Sequence, residues 1–302
     1  MKLIDSHIHI CKYINGFGSR GELIPLGNGM VEYADGKTFR IIPEGMGDYG
    51  FSLETAIKVL DENNVDKAVI LQGNYLGYQN LYAYEAMQKY RNRIVSAATF
   101  DPFSYERESI VNHLFNELNF KIIKLECSSG SGFMANHNFR LDSDEMQYIY
   151  KLALDKNIIV VIDIGRPGSI SYQVDILANM VRKYNKVSFV ICHLMAHQIG
   201  QMDLLKENLA KFKFDNVYFD LASVINNTKE EYPYPEALSY IREAINIVGS
   251  NHIMWGTDMP SGIKVNSYKK NIDYIKNSNL FTEEEKEDIF YNTANKLYFN
   301  GK

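Results

Sequence analysis

Three observations predict that residues 1–302 form one α/β domain, a (β/α)8 TIM barrel with a long first connection and an extra C-terminal helix. Short apolar runs alternate with amphipathic segments eight times, and such alternation over about 300 residues is typical of this barrel. The apolar runs are nearly continuous, as in parallel strands that are covered on both faces. No G-x-G-x-x-G turn follows the first run, which disfavours a doubly wound open sheet.

The predicted strands are the eight apolar runs. They are Lys2–His7, Lys67–Gln72, Ile94–Phe100, Lys121–Glu126, Ile158–Ile164, Val187–His193, Val217–Leu221 and His252–Asp258. The predicted helices are the segments whose apolar residues recur at helical spacing. They are Leu53–Asn63, Tyr78–Tyr90, Tyr105–Leu118, Ser143–Asn157, Tyr172–Tyr184, Met202–Lys211, Glu236–Val248 and Val265–Asn277. A capping-box pattern at Thr282–Glu285 opens the extra helix, which we expect to reach about Leu297.

The segment from about residue 10 to residue 50 interrupts this alternation. It contains nine glycines and few strong helix formers, so we expect a long loop between the first strand and the first helix. A long loop on a barrel is more often a lid or a binding element than a linker. Since it directly follows His9, we expect it to cover the active face of the barrel.

Composition and charge favour a cytoplasmic protein that acts on a small molecule. A net charge of −5 and the absence of any basic block give no reason to expect nucleic acid or an anionic membrane as a partner. Three widely spaced cysteines fit a reducing compartment better than a disulfide framework. The chain opens directly on an apolar strand, and no run approaches the roughly 18 apolar residues of a membrane span.

His7 and His9 are the first candidate metal ligands. Residues i and i+2 of a strand point to the same side, so the two imidazoles converge at the end of the first strand. Neutral imidazole is the commonest nitrogen ligand for zinc-like ions. Asp258 ends the last strand and offers a carboxylate that can ligate a metal and accept a proton. The alternatives are polar surface histidines and a helix-capping aspartate.

Other ionisable residues end the fourth, fifth and sixth strands, where barrels of this kind carry their chemistry. His193 is a candidate third ligand or acid–base group, with a core histidine as the alternative. Lys124 and Glu126 share one strand face, so they are candidates for substrate binding or catalysis, with a structural ion pair as the alternative. Lys124 could also be carbamylated and bridge metal ions. Asp163 is the ionisable residue at the end of the fifth strand.

Candidate substrate contacts follow the strand ends. Arg166, together with Arg20 and Arg40 of the long loop, offers a guanidinium for a substrate carboxylate. His197 is a candidate substrate contact beyond the sixth strand. For each of these residues the alternative is ordinary solvated surface. Two other histidines, His113 and His252, are expected to be structural, by their positions within a helix and at the start of the last strand.

Three motifs in this order resemble the amidohydrolase superfamily. They are Ile4-Asp-Ser-His-Ile-His9, Ile191-Cys-His193 and His252-Ile-Met-Trp-Gly-Thr-Asp258-Met-Pro260, and the resemblance runs from Met1 to about Phe299. The most similar branch contains aminocarboxymuconate-semialdehyde decarboxylase, resorcylate decarboxylases and sugar or pyrone lactonases. The resemblance implies His7, His9 and Asp258 as ligands of one divalent metal, zinc or manganese, with His193 beside the metal or the substrate. By analogy with the family, a homodimer is a further expectation.

One position departs from the family pattern. Metal-dependent members usually place a histidine at the end of the fifth strand, where this chain has Asp163. An oxygen ligand there would shift the preference towards a harder metal such as manganese. Some lactonase relatives lack that histidine and work without metal.

The residues and the resemblance together leave three functional hypotheses. The first is metal-dependent hydrolysis of a small ester, lactone or amide by activated water. The second is metal-dependent, non-oxidative decarboxylation of an unsaturated or aromatic acid, which aromatic residues of the first connection would suit: Phe17, Phe39, Tyr49 and Phe51. The third is a metal-free lactonase or a barrel that binds a ligand without turning it over.

Overall fold

The computed structural model describes residues 1–300. Twelve strands occur in this range. They are β1 (Ile4–Ile8), β2 (Phe17–Gly18), β3 (Gly21–Gly27), β4 (Met30–Tyr33), β5 (Thr38–Arg40), β6 (Lys67–Leu71), β7 (Ile94–Ala97), β8 (Ile122–Glu126), β9 (Ile159–Asp163), β10 (Phe189–Ile191), β11 (Val217–Asp220) and β12 (Ile253–Met254). Ten α-helices connect or flank them. They are α1 (Leu53–Glu62), α2 (Asn80–Lys89), α3 (Arg107–Val111), α4 (Asp144–Lys156), α5 (Val174–Lys183), α6 (Met202–Lys211), α7 (Val224–Thr228), α8 (Pro235–Val248), α9 (Tyr268–Lys276) and α10 (Glu283–Glu287).

Eight parallel strands close into a barrel, which confirms the predicted fold class. Strands β1, β6 and β7 form one parallel sheet, and β8 to β12 form a second. Two parallel bridges join the sheets: Ala98 pairs with Ile123 after β7, and Ile8 pairs with Met259 after β12. The second bridge places the end of the last barrel strand beside the end of the first barrel strand. This pairing sets the geometry of the site.

The helices begin where the sequence supplies caps for their first N–H groups. The hydroxyls of Ser52, Ser143 and Ser267 accept hydrogen bonds from the first turns of α1, α4 and α9. Thr282 and Glu285 form the predicted capping box of α10. Helical turns continue beyond α10 to Phe299 with wider, π-type hydrogen bonding, so the extra C-terminal helix is present.

The barrel interior has an apolar lower layer and a polar upper layer. The lower layer is a buried cluster that includes Ile4, Val69 and Val161, and Tyr298 of the C-terminal helix packs into it. Above it lie buried ionisable side chains, among them Lys124. Because burying an unpaired charge costs several kcal/mol, these upper groups are expected to be paired or bound to a ligand.

The segment predicted as a long loop forms a small sheet instead. Strands β2 to β5 pair in antiparallel order, and an Asn28–Gly29 turn with positive φ at both residues connects β3 to β4. Asn-Gly is the preferred sequence for such a tight hairpin turn, so the sequence does contain a hairpin signal. The high glycine content of the segment led instead to the prediction of a loop. Ser19 of this insertion donates its N–H to the carbonyl of Gly130, which anchors the sheet beside the active face.

Strands β7, β10 and β12 are each at least three residues shorter than predicted, and one helix differs in type. Strand β10 ends at Ile191 because residues 193–196 adopt left-handed backbone angles, and β12 ends at Met254 before the chain turns towards β1. The helix predicted for residues 105–118 is regular only over α3 and continues with π-type turns to Glu117. Within residues 1–300 no helix has the length and apolar character needed to cross a membrane.

Candidate active site

Two adjoining cavities open at the carboxyl ends of the barrel strands. The inner cavity, of about 160 Å³, is lined by His7, His9 and Asp258 together with residues of the neighbouring strand ends. The outer cavity, of about 500 Å³, shares Asp258 and His193 with it and extends towards Arg166. The polar strand ends singled out in the sequence therefore surround one continuous space.

His7, His9 and Asp258 converge as predicted. The Nε2 atom of His9 lies 3.0 Å from Oδ1 of Asp258, and Nε2 of His7 lies 3.9 Å from the same oxygen. The two imidazole rings are 5.0 Å apart between centroids. Three potential ligand atoms from these residues lie within 4.8 Å of one another, a separation that a single divalent ion can span.

Backbone pairing brings Asp258 to the histidines. The N–H of Asp258 donates to the carbonyl of His7 at 2.8 Å, and the N–H of His9 donates to the carbonyl of Met259 at 2.8 Å. The Ser223 hydroxyl donates to Oδ2 of Asp258 at 2.6 Å and leaves Oδ1 for the histidines. Burial alone would raise the pKa of Asp258, but the hydrogen bond from His9 and the neighbouring imidazoles lower it strongly, so the carboxylate is ionised.

Asp220, at the end of β11, orients His7. Its Oδ2 accepts a hydrogen bond from Nδ1 of His7 at 3.0 Å, so the lone pair of His7 lies on Nε2. Burial lowers the pKa of His7 to about 4 despite the attraction of Asp220, so the ring is neutral. Nε2 of His7 is buried and has no hydrogen-bond partner within residues 1–300. A neutral imidazole with a free, buried lone pair facing a second imidazole and a carboxylate fits a divalent metal.

His193 lies beside this centre in a strained backbone conformation. Its φ of 60° is left-handed, which is uncommon for a residue other than glycine. Nδ1 donates to the carbonyl of Ala222 at 2.9 Å, and Nε2 lies 3.6 Å from Oδ2 of Asp163. Burial would lower the pKa of His193, but the carboxylates of Asp163, Asp220 and Asp258 raise it to about 9, so the ring carries a proton at both nitrogens.

Lys124, Glu126 and Asp163 form a buried charged cluster, and Glu126 and Asp163 of this cluster line the inner cavity. Nζ of Lys124 lies 3.2 Å from Oε2 of Glu126 and 3.2 Å from the sulfur of Cys192. Burial and the adjacent Asp163 raise the pKa of Glu126, while His193 and Lys124 lower that of Asp163 despite its burial. Burial would lower the pKa of Lys124, but Cys192 and the two carboxylates raise it. The lysine is therefore an ammonium ion, which favours an ion pair over carbamylation.

Some predicted site residues lie elsewhere. His197 was expected to contact substrate, but it is buried behind the site, with Nε2 3.2 Å from the Tyr172 hydroxyl and Nδ1 3.2 Å from the Leu194 carbonyl. It lines neither cavity. Arg20 pairs with Asp35 of the insertion, and Arg40 donates to backbone carbonyls there. The helix packing that buries His197 has no sequence signature at that position.

Three supporting residues were missed in the sequence. Asp220 ends a predicted strand with an ionisable side chain, which is the same signal that identified Asp163. Asp5 precedes the two histidines and accepts hydrogen bonds from the Thr257 N–H at 2.9 Å and the Tyr268 hydroxyl at 2.7 Å, which ties β1 to the segment after β12 and to α9. Ser223 lies beyond a strand end in a turn whose direction only the fold defines.

Asp220→Asn tests whether Asp220 orients the His7 ring for metal binding. Loss of the anionic partner reduces the preference for the Nδ1-protonated ring, so we expect zinc affinity to fall about 10–100-fold. Competition with a chromophoric chelator measures the dissociation constant. Asp215→Asn, an exposed aspartate before the same strand, is the matched control and is expected to leave affinity unchanged. Equal zinc affinity in Asp220→Asn and wild type would contradict this role.

The fold and the site define a (β/α)8 barrel with a histidine–carboxylate centre at its carboxyl face. A family model described as Amidohydrolase matches residues 4–299, so the chain belongs to the amidohydrolase family. This match confirms the resemblance that the three sequence motifs indicated. A search of curated proteins finds no match.

Solved structures with the same architecture are similar over most of their length. A probable 2-pyrone-4,6-dicarboxylic acid hydrolase from Acinetobacter baumannii is 18% identical, with 98% of this chain and 99% of that chain covered and a TM-score of 0.67. An amidohydrolase from Burkholderia multivorans with bound zinc is 12% identical over 99% of both chains, with a TM-score of 0.68. A 2,6-dihydroxybenzoate decarboxylase is 10% identical, with 83% and 89% covered and a TM-score of 0.58. At identities this low, the similarity shows a shared fold only.

Proposed function

We propose that the protein is a metal-dependent hydrolase of a small ester, lactone or amide. The observation that carries this proposal is the buried, unpartnered Nε2 of His7, which faces His9 and Asp258. A buried polar atom without a partner costs about 1–3 kcal/mol, and a metal ion would remove that cost. His7, His9 and Asp258 would hold the ion.

The chemistry follows from the states of the surrounding side chains. A divalent ion in such a centre lowers the pKa of water and polarises a carbonyl oxygen. Asp258 is ionised, borders both cavities and is positioned by Ser223, so it accepts the proton of the attacking water. His193 lines the same space, so in its protonated form it would donate a hydrogen bond to the developing oxyanion or a proton to the leaving group.

The lining of the two cavities favours hydrolysis over decarboxylation of an aromatic acid. Phe17, Phe39, Tyr49 and Phe51, which had suggested a planar substrate, line neither cavity. The apolar side chains that line the inner cavity are those of Tyr75 and Leu76. The outer cavity is bordered by serines, glycines and charged groups, which do not form a platform for a ring.

The experiment combines metal analysis with two product assays. Purified protein is stripped with a chelator and reloaded with zinc or manganese, and a panel of neutral lactones, esters and carboxylated phenols is then followed for proton release and CO₂ release separately. Metal-dependent proton release without CO₂ supports the proposal. CO₂ release assigns a decarboxylase, and equal hydrolysis by stripped and reloaded protein assigns a metal-free lactonase.

His9→Ala tests the metal centre directly. Removing one of three ligands is expected to reduce zinc affinity by more than the roughly 10–100-fold loss that follows removal of an outer-shell partner. Metal content after dialysis and chelator competition measure the loss. His113→Ala is the matched control, because His113 is exposed and its only ion pair within residues 1–300 is with Glu117 of the same helix. Unchanged zinc content in His9→Ala would contradict the assignment.

A further inference from the structure

A third cavity lies at the amino ends of the barrel strands, opposite the candidate active site. Its volume is about 720 Å³, larger than that of either cavity of the active face. Five consecutive strands border it near their amino ends, through Val95 of β7, Ile122 of β8, Ile159 of β9, Ser188 before β10 and Tyr218 of β11. We call this space the basal cavity. Within residues 1–300 no residue borders both the basal cavity and either cavity of the active face, so the two ends of the barrel can bind different ligands.

The floor of the basal cavity is apolar. Val95 and Ile122 belong to the lower layer of the barrel interior, and Ile159, Tyr218 and Leu297 pack against that layer while they remain partly exposed. Covering such side chains is favourable in proportion to the apolar area that is removed from water. Cavities of this size with a largely apolar lining are typical of binding sites for small organic molecules. The basal cavity therefore suits a ligand with an apolar body.

The charged groups of the basal cavity all have one sign. Lys121, Lys156 and Lys296 border it, and no aspartate or glutamate of residues 1–300 does. This contrasts with the net charge of −5 for the whole chain. In the described part of the chain none of these lysines forms an ion pair; Nζ of Lys156 donates to Oδ1 of Asn116 at 2.5 Å. A cleft that carries charge of one sign against low-dielectric walls raises the local concentration of ligands of the opposite sign.

The backbone holds two of these lysines close to each other. Lys156 is the last residue of α4, which ends at Asn157 with a left-handed φ of 53°. The N–H of Ile159 then donates to the carbonyl of Lys121 at 3.0 Å, at the start of the pairing between β9 and β8. Both lysines also border a smaller cavity of about 360 Å³. Because the fold places like charges side by side without a carboxylate between them, a bound anion would offset their repulsion.

We infer that the basal cavity is a second binding site, for a small organic anion with an apolar body, such as a carboxylate on a hydrocarbon chain. The apolar body contacts Val95, Ile159 and Tyr218, and the anionic group is bound by Lys121 and Lys296. The inference is independent of the reaction proposed for the active face, because the lining of the basal cavity includes none of the proposed metal ligands.

A displacement titration tests the chemistry of the ligand. The fluorescent anion anilinonaphthalenesulfonate is bound to the protein and then displaced by decanoate or by decyltrimethylammonium, both below their micelle concentrations. The two competitors share a chain of the same length and differ in the sign of their charge. We expect decanoate to bind at least about tenfold more tightly, with the same affinity in zinc-loaded and metal-stripped protein. Equal affinity for the two competitors, or decanoate binding that requires zinc, overturns the inference.

Charge removal tests the role of the lysines. Lys121→Gln combined with Lys296→Gln changes two exposed side chains and leaves the core intact. We expect decanoate affinity to fall about tenfold or more. The matched control is Lys270→Gln combined with Lys276→Gln, which removes two exposed charges from α9, away from the basal cavity, and is expected to leave affinity unchanged. Equal decanoate affinity in the two double variants overturns the inference.

Ser188→Trp tests the location, because an indole at this half-buried position occupies the cavity. We expect the variant to lose decanoate binding while its zinc affinity and urea unfolding match those of wild type. Unchanged decanoate affinity in a folded Ser188→Trp variant overturns the assignment to the basal cavity. Sedimentation with phosphatidylglycerol vesicles identifies the source of the anion. Vesicle binding that is lost in the Lys121→Gln, Lys296→Gln variant, without binding of free decanoate by wild type, would assign these lysines to a membrane surface and overturn the inference.

Discussion

Asp258→Asn is expected to lower kcat for hydrolysis of a neutral lactone by about 10³-fold, within the range that loss of a general base produces. The asparagine amide keeps the size of the side chain and its contact with Ser223, but it accepts no proton from water. KM is expected to change much less than kcat, because the lost interaction develops mainly in the transition state. Steady-state kinetics at saturating zinc measures both constants.

Saturating metal is essential to this experiment, since Asp258 is also a proposed ligand. Zinc content is therefore measured on the same samples, and Asp258→Glu restores a proton acceptor while it changes the distance to His9. Partial recovery of kcat in Asp258→Glu supports proton acceptance. A kcat for Asp258→Asn within tenfold of wild type, with full zinc content, would mean that another group accepts the proton.

The convergence of His7, His9 and Asp258 could be predicted because it depends on topology more than on packing detail. Parallel strands in a closed barrel direct all their carboxyl ends to one face, so ionisable residues at those ends become neighbours. The sequence separation of some 250 residues between His9 and Asp258 is irrelevant once the first and last strands pair. Lys124 and Glu126 were placed together for the simpler reason that alternate residues of a strand share a face.

What the sequence did not reveal depends on contacts between distant elements. His197 was a candidate substrate contact because it lies beyond the end of the sixth predicted strand, but Tyr172 and Asn208 pack against the imidazole and bury it. The role of Ser223 depends on a left-handed turn that no local pattern encodes. The sheet formed by the insertion depends on pairing among short strands, for which single turn signals are weak evidence.

Lys124→Met is expected to destabilise the protein by about 3–5 kcal/mol, the cost of removing one partner from a buried ion pair. Lys124 is fully buried, and its loss leaves Glu126, Asp163 and Asp220 without the interior ammonium that offsets their charge. Equilibrium unfolding in urea measures the change. Lys121→Met, at an exposed position directly before the same strand, is the matched control and is expected to change stability by less than about 0.5 kcal/mol.

The pH dependence of this loss identifies its cause. Glu126 already has a raised pKa in the folded protein, because of burial and Asp163, and loss of the ammonium raises that pKa further. A carboxyl whose folded pKa exceeds its unfolded pKa destabilises the fold at high pH, and the penalty disappears as pH falls through the folded pKa. The difference in stability between Lys124→Met and wild type should therefore shrink as pH falls from the alkaline range through the folded pKa of Glu126. A stability difference that is independent of pH would mean that Lys124 acts through the packing of its aliphatic chain. A Lys124→Met variant that is as stable as wild type but has lost bound zinc would mean that the lysine belongs to the metal centre.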